Sequence, residues 1–470
     1  MLIERQHMLT VAVLSIPLLV FRNRLLDHKD LITHLTQCSA ILRPMSNTNK
    51  KGVLFVHTEP YNQAVKRQLN NPWSDQVANG YNTELERLAY SSRLLGSNPD
   101  IVLEGGGNTS IKLQENDLSI LYVKGSGRNL AQVTQEDFTP LLLSPLQRAV
   151  EDNVNHAPLI EKIVAKAIIN PDSARPSIET LMHAALPYCC VMHTHADSVL
   201  AAMNVDEIHQ VHSTIYGSLA PLVDYQHSGF DLARACWQAL KNQGNDQSIG
   251  LILAFHGAVS FGKDVRQAYE NMLHLISLAQ NYLNPFIDYP PADGSGDHLL
   301  APSWPTSLVE LTLEDLHKRI NALAGFPLHL YQVKDFSFMK LLAIHQRTGL
   351  LEQGPATPQH ALYTKRYPLL NRDLKAYARD YRHYLDTSLG TADSAWIDVA
   401  PRIVIDSQWG LCAFGKTLKE AQAASLMYQH DLQVMELAQR HGHYRSAPID
   451  SIAQAEFEYG GYALRKKTTL

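Results

Sequence analysis

Cys189-Cys190-Val191-Met192-His193-Thr194-His195 is an apolar run that ends in two histidines separated by a single residue. A short apolar run of this kind predicts a buried β-strand over 189–195. Because alternate side chains of a strand share one face, we expect the imidazoles of His193 and His195 to point the same way, close enough to share a metal ion. The stretch therefore predicts both a core element and part of a metal site.

A third histidine completes the predicted metal site. His256 ends a second apolar run, 251–255. Three neutral imidazoles leave a divalent ion its full charge and an open coordination position, which is typical of a catalytic zinc site rather than a closed structural one. Another divalent metal is an alternative to zinc, because imidazole binds several metals. The competing interpretation is chance, since the chain has 22 histidines.

Length, charge and cysteine content narrow the class of protein. The 470 residues are 45% hydrophobic, which is enough for large cores in two or three domains. The formal net charge is −5 and no segment carries a basic stripe, so no nucleic-acid partner is expected. Five cysteines without a C-x-x-C pair favour a reducing, cytoplasmic location. No apolar run is long enough to span a bilayer, so no membrane partner is expected.

The N-terminus allows two interpretations. The apolar stretch 8–21 resembles the core of a signal peptide, but Arg22 and Arg24 follow where small residues should form a cleavage site. Met45 precedes a polar stretch and is a second plausible start. We favour the interpretation that the first 44 residues are an upstream extension, or at most a peripheral helix.

Three segments follow from these patterns. Residues 1–70 are predicted to be an N-terminal extension, partly disordered, and 71–288 a catalytic α/β domain. Pro285 and the proline- and glycine-rich stretch 290–296 predict a linker. The remaining region, 289–470, is predicted to be smaller and α+β.

Periodicity and turn residues predict the main elements of the catalytic domain. Helices are expected at 84–95, around 160–168, from Ser177 to Ala185, and from Val265 onward. Strands are expected at 101–103, 110–113, 119–123 and 189–195, the second and third of them forming a hairpin.

Three separate segments share a preference for a phosphate group. Gly105-Gly106-Gly107 allows several amides to converge on an anion, and Asn108, Thr109 and Ser110 add side-chain donors. Lys124-Gly125-Ser126-Gly127 adds a charge and a hydroxyl, and a helix beginning at Ser177 would add its N–H groups. Each segment alone is also typical of an ordinary turn. No G-x-G-x-x-G spacing occurs, so no NAD site is expected.

A carboxylate follows this last segment closely. Glu179 lies two residues beyond Ser177 and a short helix away from the histidine strand. A carboxylate beside a dication and a phosphate is suited to general acid–base work, or to filling the open metal position at rest. The alternative is a solvated first-turn glutamate, which the helix dipole favours. His183, one turn later, is expected to support the site or to pack rather than to ligate metal.

The C-terminal region contains stretches that match the catalytic domain. Residues 409–416 align with 256–263, and Thr357-x-x-His360 aligns with Thr180-x-x-His183. The alignment places Trp409 at the position of His256 and Ala356 at that of Glu179. If the repeat is real, the second copy is degenerate and structural; chance similarity between β-turn-helix units is the alternative.

An ordered set of motifs between about residues 80 and 285 resembles the class II aldolase/adducin family. The motifs are Gly-Gly-Asn-Thr-Ser, Lys-Gly-Ser-Gly, Pro-Ser-x-Glu-x-x-x-His, His-x-His and His-Gly. The triple glycine, Lys-Gly-Ser-Gly and Thr357-Pro358-Gln359-His360 are most similar to the aldolase half of bifunctional rhamnulose-phosphate aldolase/lactaldehyde dehydrogenases. The dehydrogenase half is absent from this sequence. The resemblance implies a three-layer α/β/α domain around a mostly antiparallel sheet.

The resemblance also implies roles for individual residues. His193, His195 and His256 would bind zinc, and Glu179 would be the catalytic acid/base. Tyr225 resembles, loosely, a tyrosine that family aldolases place near the aldehyde from an adjacent subunit. The substrate phosphate would be held by Asn108, Ser126, Gly127 and Ser177, with Lys124 compensating for Ile178, which stands where many members have a second serine.

The activity implied is zinc-dependent cleavage of a ketose 1-phosphate, such as rhamnulose 1-phosphate, to dihydroxyacetone phosphate and an aldehyde. Family members are commonly tetramers, so a homo-oligomer acting on a small-molecule sugar phosphate is expected. Epimerase or dehydratase chemistry at the same metal site is an alternative. A non-enzymatic adducin-like interaction module is a further one, although such members lack the metal histidines that this chain has.

Overall fold

Two β-sheets organise this computed structural model, which describes residues 53–56, 69–154, 156–287, 311–334, 349–370 and 372–460. A seven-stranded sheet contains most of the predicted site, and a four-stranded sheet lies in the C-terminal region. In chain order the strands are β1 (Val53–Val56), β2 (Asn108–Glu115), β3 (Leu118–Lys124), β4 (Phe138–Leu142), β5 (Cys190–Thr194), β6 (Leu222–Val223), β7 (Gly250–Leu253), β8 (Gly257–Gly262), β9 (His329–Val333), β10 (Ile403–Asp406) and β11 (Gly410–Gly415).

The large sheet has the order β4-β3-β2-β5-β8-β7-β6 and is antiparallel except between β6 and β7. The small sheet has the order β1-β9-β11-β10, and its β1 pairs in parallel with β9. Residues 53–56, which the sequence placed in the N-terminal extension, thus form an edge strand of the small sheet. The predictions for residues 1–44 and for the linker at 290–296 lie outside the described residues.

Helices cover both faces of the large sheet, which gives the predicted three-layer α/β/α arrangement. In chain order they are α1 (Asp75–Ala78), α2 (Glu84–Gly96), α3 (Leu143–Glu151), α4 (Ala157–Ala167), α5 (Thr180–Ala185), α6 (Asp197–Met203), α7 (Ile208–Ile215), α8 (Phe230–Gln243), α9 (Val265–Ile287), α10 (Leu313–Ala324), α11 (Ala361–Thr364), α12 (Leu374–Leu389), α13 (Thr391–Ser394), α14 (Leu418–His441) and α15 (Ile449–Ala455). A π-helical turn, Glu456–Gly460, follows α15.

Strand β5 divides the two hydrophobic cores. Cys190 and Met192 face the core that contains α2, α6 and α9, whereas Val191 faces the core that contains α3, α5 and α8. This alternation is the period of two expected of a strand buried on both faces. Since His193 shares the face of Val191, the histidines lie on the side of the sheet that α5 covers.

Most of the predicted elements are confirmed, and three predictions are corrected. Residues 101–103 form no strand: their side chains are buried in the core, and the amides of Ile101 and Val102 both donate to the carbonyl of Asn98 in a turn that ends α2. Helix α5 begins at Thr180 rather than at Ser177, because residues 177–179 form a tight turn in which Ser177 Oγ accepts the amide proton of Glu179. Pro285 lies inside α9, not in a linker; since α9 ends two residues later, few helical hydrogen bonds are affected.

The two sheets share a local pairing pattern. All five residue pairs between β5 and β8 have counterparts between β9 and β11, and all four between β7 and β8 have counterparts between β10 and β11. In each unit the last strand starts at a glycine with positive φ, Gly257 or Gly410, whose missing side chain would collide with a carbonyl of the neighbouring strand. This register places Gln332 at the position of His193, Lys334 at that of His195 and Trp409 at that of His256.

None of the helices in the described part of the chain is long and apolar enough to cross a membrane.

Candidate metal centre and active site

The three predicted histidines converge on one point. His193 lies near the end of β5, His195 just beyond it, and His256 in the tight turn that joins β7 to β8. The Nε2 atoms of His193 and His195 are 2.9 Å apart, and one nitrogen from each of the three rings lies within 4.8 Å of the others. The strand period therefore places the first pair, and the β5–β8 pairing brings in the third.

The geometry of these nitrogens fits a tetrahedral metal ion. With zinc–nitrogen bonds of about 2.0–2.1 Å, two ligand nitrogens of a tetrahedral site lie about 3.3 Å apart. The 2.9 Å separation of the first pair is close to this value, the third nitrogen lies within 4.8 Å of both, and all three rings are buried. Unlike a pair of histidines in a surface turn, these side chains form a pre-arranged set of ligands.

Hydrogen bonding and burial keep His193 and His195 in the form that binds metal. The Nδ1 atom of His193 lies 3.0 Å from the carbonyl oxygen of Ala258, so Nδ1–H donates and the Nε2 lone pair is left for a ligand. Burial lowers the pKa of His193, and burial together with the neighbouring imidazoles lowers the pKa of His195 well below its usual value. Neutral imidazoles are the state that a metal requires.

Glu179 lies at the centre of this histidine cluster. Its Oε1 is 3.1 Å from Nε2 of His256, and its Oε2 is 3.5 Å from Nε2 of His193. Burial alone would raise the pKa of this carboxyl, but His193, His256 and a hydrogen bond from Asn108 lower it well below its usual value. The carboxylate is thus placed both to complete a metal coordination shell at rest and to exchange a proton with a bound molecule.

A chain of hydrogen bonds orients Glu179. Ser110 Oγ lies 2.7 Å from Nδ1 of His183, and Nε2 of His183 donates to the side-chain oxygen of Asn108. The amide group of Asn108 then donates to Oε2 of Glu179 at 2.6 Å and to Ser177 Oγ at 3.1 Å. Burial lowers the pKa of His183 to about 3, so this ring is a neutral link that fixes Asn108. Its predicted supporting position is therefore the one observed.

The predicted phosphate-binding residues lie along one cavity. The cavity is lined by Asn108, Lys124, Ser126, Gly127 and Ser177, together with Glu179, His195 and His256. Lys124 Nζ donates to the carbonyl oxygen of Arg128 at 2.7 Å and contacts that of Gly105 at 3.4 Å, which joins the two glycine-containing segments.

Two residues of the predicted phosphate site face elsewhere. Thr109 Oγ1 is hydrogen-bonded to Ser92 at 2.7 Å in the opposite core, because adjacent residues of β2 point to opposite faces. Ser110 is on the correct face but lies beneath His183. The helix-terminus contribution expected from Ser177 is also corrected, because α5 begins three residues later and is only six residues long.

Tyr225 lines the same cavity within its own chain, and burial raises the pKa of its hydroxyl. Its neighbour Ser228 lies 3.4 Å from Oε1 of Glu179, so the loop that contains both residues borders the metal centre.

The C-terminal region also lines the cavity, which reasoning from the sequence missed. Its contribution comes from α11 with the segment before it, and from α15 with the π-helical turn. The residues are Pro358, Gln359, Leu362, Ser451, Gln454, Ala455 and Glu458. The Thr-x-x-His match around Thr357 was the signal in the sequence that pointed to part of this wall.

Helix α14 contacts the segments on both sides of His195 through two adjacent residues. His430 Nδ1 lies 2.5 Å from Oδ2 of Asp197, two residues beyond His195. Asp431 Oδ1 accepts a hydrogen bond from Nδ1 of His360 at 2.7 Å, and the His360 ring lies 6.5 Å from that of His195. Both pairs are buried, so the C-terminal region fixes the surroundings of a predicted metal ligand.

Two family models match the chain. The model described as the class II aldolase and adducin N-terminal domain matches residues 86–283, and the one described as the aldolase class II second domain matches residues 316–460. The first range contains the histidine cluster, Glu179 and the predicted phosphate-binding residues. The second range contains every C-terminal residue that lines the cavity.

Several known proteins are similar to the chain. It is 32% identical to the N-terminal class II aldolase domain of a conserved protein from Thermoplasma acidophilum, over 46% of this chain and 100% of that one, with a TM-score of 0.42. It is 18% identical to L-fuculose-1-phosphate aldolase from Thermus thermophilus, over 43% of this chain and 96% of that one, with a TM-score of 0.30. It is 26% identical over 409 residues to the uncharacterized oxidoreductase YuxG of Bacillus subtilis (strain 168), over 80% of this chain, and spans 57% of that relative's length.

The two matched ranges follow one another along the chain and together include both walls of the cavity. With the 32% identity over the full length of the Thermoplasma acidophilum domain, they show that this chain belongs to the class II aldolase and adducin family.

Proposed function

We propose that this protein is a metal-dependent aldolase that cleaves a ketose 1-phosphate, of the rhamnulose 1-phosphate type, to dihydroxyacetone phosphate and an aldehyde. The observation that carries the proposal is one cavity lined by His195, His256, the buried carboxylate of Glu179 and the predicted phosphate-binding groups, with His193 in contact with Glu179. Zinc is the metal that three imidazoles and an open position favour.

The residues divide the reaction between them. Cleavage of the C3–C4 bond requires that the C4 hydroxyl lose its proton and become the aldehyde, while the electron pair of the bond remains on the C3 side. A divalent cation held by His193, His195 and His256 supplies Lewis-acid stabilisation of the negative charge that develops there. Glu179 is proposed to move the proton that C3 finally receives, and Tyr225, which lines the same cavity, to exchange one with the C4 oxygen.

The phosphate-binding residues hold the unreactive end of the substrate. Lys124 supplies a positive charge, and Asn108, Ser126 and Ser177 supply hydrogen bonds, so that the reacting carbons are positioned before the bond breaks. Asn108 links this end to the chemistry, because the same amide group also donates to Glu179.

Metal analysis combined with a screen of ketose 1-phosphates tests the proposal. We expect about one divalent ion per chain and release of dihydroxyacetone phosphate from at least one substrate, measured with a coupled reduction assay. Conversion of a sugar phosphate without release of dihydroxyacetone phosphate would identify an epimerase or a dehydratase instead. Protein that purifies without metal and takes up none would favour an interaction module.

Two expectations from the sequence remain predictions beside this proposal. A homo-oligomer is expected, which light scattering of the purified protein measures directly. No NAD requirement is expected for the cleavage reaction, which an assay without nicotinamide cofactor tests. The Bacillus subtilis relative is named as an oxidoreductase, but this chain spans only 57% of that protein's length.

A further inference from the structure

One wall of the cavity comes from the C-terminal region and has polar groups that the proposed mechanism does not use. Gln454 and Glu458 lie there, and Nε2 of Gln454 donates to Oε1 of Glu458 at 2.8 Å. Among the described residues, no lysine, arginine or histidine forms an ion pair with the Glu458 carboxylate. Glu458 is exposed and lines the cavity, and its second carboxylate oxygen is available to a ligand.

The position of Glu458 is set by a buried anchor. Glu456, two residues earlier in the same π-helical turn, accepts a hydrogen bond from Lys365 at 2.8 Å and one from the hydroxyl of Tyr381 at 2.6 Å. Only 3% of Glu456 is exposed. A π-helical turn is rare and is found frequently at functional sites. The turn therefore presents Glu458 on a fixed backbone rather than on a loose surface loop.

This wall is connected to the reacting end of the site. Ser451 in α15 lines the cavity together with Tyr225, and the loop of Tyr225 reaches Glu179 through Ser228. The phosphate-binding residues approach Glu179 by a different route, through Asn108 and Ser177. Gln454 and Glu458 line the cavity with Tyr225, and among the described residues neither is hydrogen-bonded to a predicted phosphate-binding group.

The wall also has an apolar part. Leu362 lines the cavity with 37% of its surface exposed, and Ala455 lies beside Gln454 in α15. A carboxylate, a side-chain amide and an exposed leucine together suit a short carbon chain that carries hydroxyl groups and an apolar end. The carboxylate accepts hydroxyl protons, and a charged acceptor makes the strongest of these hydrogen bonds.

We infer that the C-terminal region provides, within the same chain, the subsite for the fragment that leaves as the aldehyde, and that Glu458, oriented by Gln454, selects fragments with a hydroxyl next to the carbonyl carbon. The inference rests on the proposed aldolase function. It assigns substrate selection to a part of the chain that contains none of the metal ligands.

The reverse reaction isolates this contact. Dihydroxyacetone phosphate is added to lactaldehyde or to propanal, two aldehydes that differ by one hydroxyl group. Glu458→Ala is expected to lower kcat/KM for lactaldehyde about 10- to 100-fold and that for propanal less than twofold, with KM for dihydroxyacetone phosphate unchanged. Glu458→Gln, which keeps a hydrogen-bonding group, should recover part of the loss. Glu161→Ala, at an exposed position of α4 outside the cavity, is the matched control.

An equal loss for both aldehydes, or no loss for either, would overturn the inference. If no aldehyde is consumed by the unsubstituted enzyme, the proposed function fails, and the subsite is then tested by calorimetry. In that case rhamnulose 1-phosphate should bind more weakly to Glu458→Ala while dihydroxyacetone phosphate binds unchanged. Equal binding of the sugar phosphate to both proteins would reject the subsite as well.

Discussion

The two sheets contain the same strand-turn-strand-helix unit, but only the unit of the large sheet has histidines at the three matched positions. In the large sheet, β5, β7 and β8 present three histidines around an open cavity. In the small sheet, β9, β10 and β11 pair in the same register, but the matched positions hold Gln332, Lys334 and Trp409. A common backbone pattern therefore does not determine a metal site; the side chains at three strand ends do.

Different interactions occupy the strand ends of the small sheet. Arg372 forms a bidentate ion pair with Asp406, at 2.6 and 2.8 Å, and its guanidinium lies 4.0 Å from the centre of the Trp409 ring. Gln332 donates to the carbonyl oxygen of Trp409. We propose that the two units are copies of one ancestral unit, and that the second has exchanged ligand positions for a buried cation–aromatic contact that stabilises the fold.

The strongest test removes a ligand from one unit and its counterpart from the other. His195→Ala is expected to reduce the bound metal to below one ion per chain and to lower aldol cleavage by about 1000-fold or more, because the metal contributes several kcal/mol to the transition state. Lys334→Ala, at the matched position of the small sheet, should retain metal and activity. Elemental analysis and initial rates measure both. Full activity of His195→Ala would remove the basis of the metal assignment.

Glu179 provides the next largest difference, since the repeat places Ala356 at its position. Glu179→Gln should lower kcat by about 100- to 10,000-fold, because the amide cannot accept a proton, while the three histidines still hold metal. The mutant should also fail to exchange the C3 proton of dihydroxyacetone phosphate with deuterated water, which NMR detects. Wild-type exchange in this mutant would assign the proton transfer to another residue.

Arg372 tests the opposite property, stability without catalysis. Arg372→Met leaves the buried carboxylate of Asp406 without its cation and should lower the free energy of unfolding by about 3 kcal/mol. Metal content and kcat should not change. The control Arg379→Met breaks an exposed pair with Asp380 and should cost less than about 1 kcal/mol. Denaturant titration measures both, and loss of metal from Arg372→Met would contradict a purely structural second unit.

Asp431 tests whether the second unit supports the metal centre of the first. Asp431→Asn weakens the hold on His360, and through it the surroundings of His195, so metal affinity is expected to fall about 10- to 100-fold. Competition with a chelator measures this affinity. Leu426→Ala, at an exposed position of the same helix, is the control. Unchanged metal affinity in Asp431→Asn would show that the two units act separately.

The smallest expected effect concerns pH. Burial lowers the pKa of Lys124 to about 8, although Glu179 and Asp137 oppose the shift. The ammonium group is charged below this pH and loses its proton above it, so substrate KM should be constant below about pH 8 and rise severalfold above it. Lys124→Met should have a higher KM with no such rise. A profile that is the same in both proteins would show that Lys124 does not bind the phosphate.

Local signals in the sequence predicted the parts of the site that lie on regular elements. The period of two around His193 and His195 gave their common direction, and the hairpin of β2 and β3 followed from alternation and turn residues. Thr109 was predicted wrongly, because the alternation of β2 turns its side chain to the face opposite that of Asn108 and Ser110. The start of α5 was misplaced because Ser177 forms a turn with Glu179 instead of capping the helix.

Contacts between distant segments could not be predicted in this way. His430 and Asp431 lie in a helix that is buried over much of its length, where no period distinguishes residues that face a site. Gln454 and Glu458 reach the cavity only because the C-terminal region packs against the first domain. His430 and its partner Asp197 are 233 residues apart, and a single sequence has no local pattern for such pairs.

The neighbouring positions of His430 and Asp431 have a practical consequence for protein engineering. Because His430 and Asp431 bind Asp197 and His360, which both lie close to His195, a chimera that exchanges the C-terminal half between homologues must keep all four residues together. We expect a chimera that separates these four residues to be expressed but to lose its bound metal during purification.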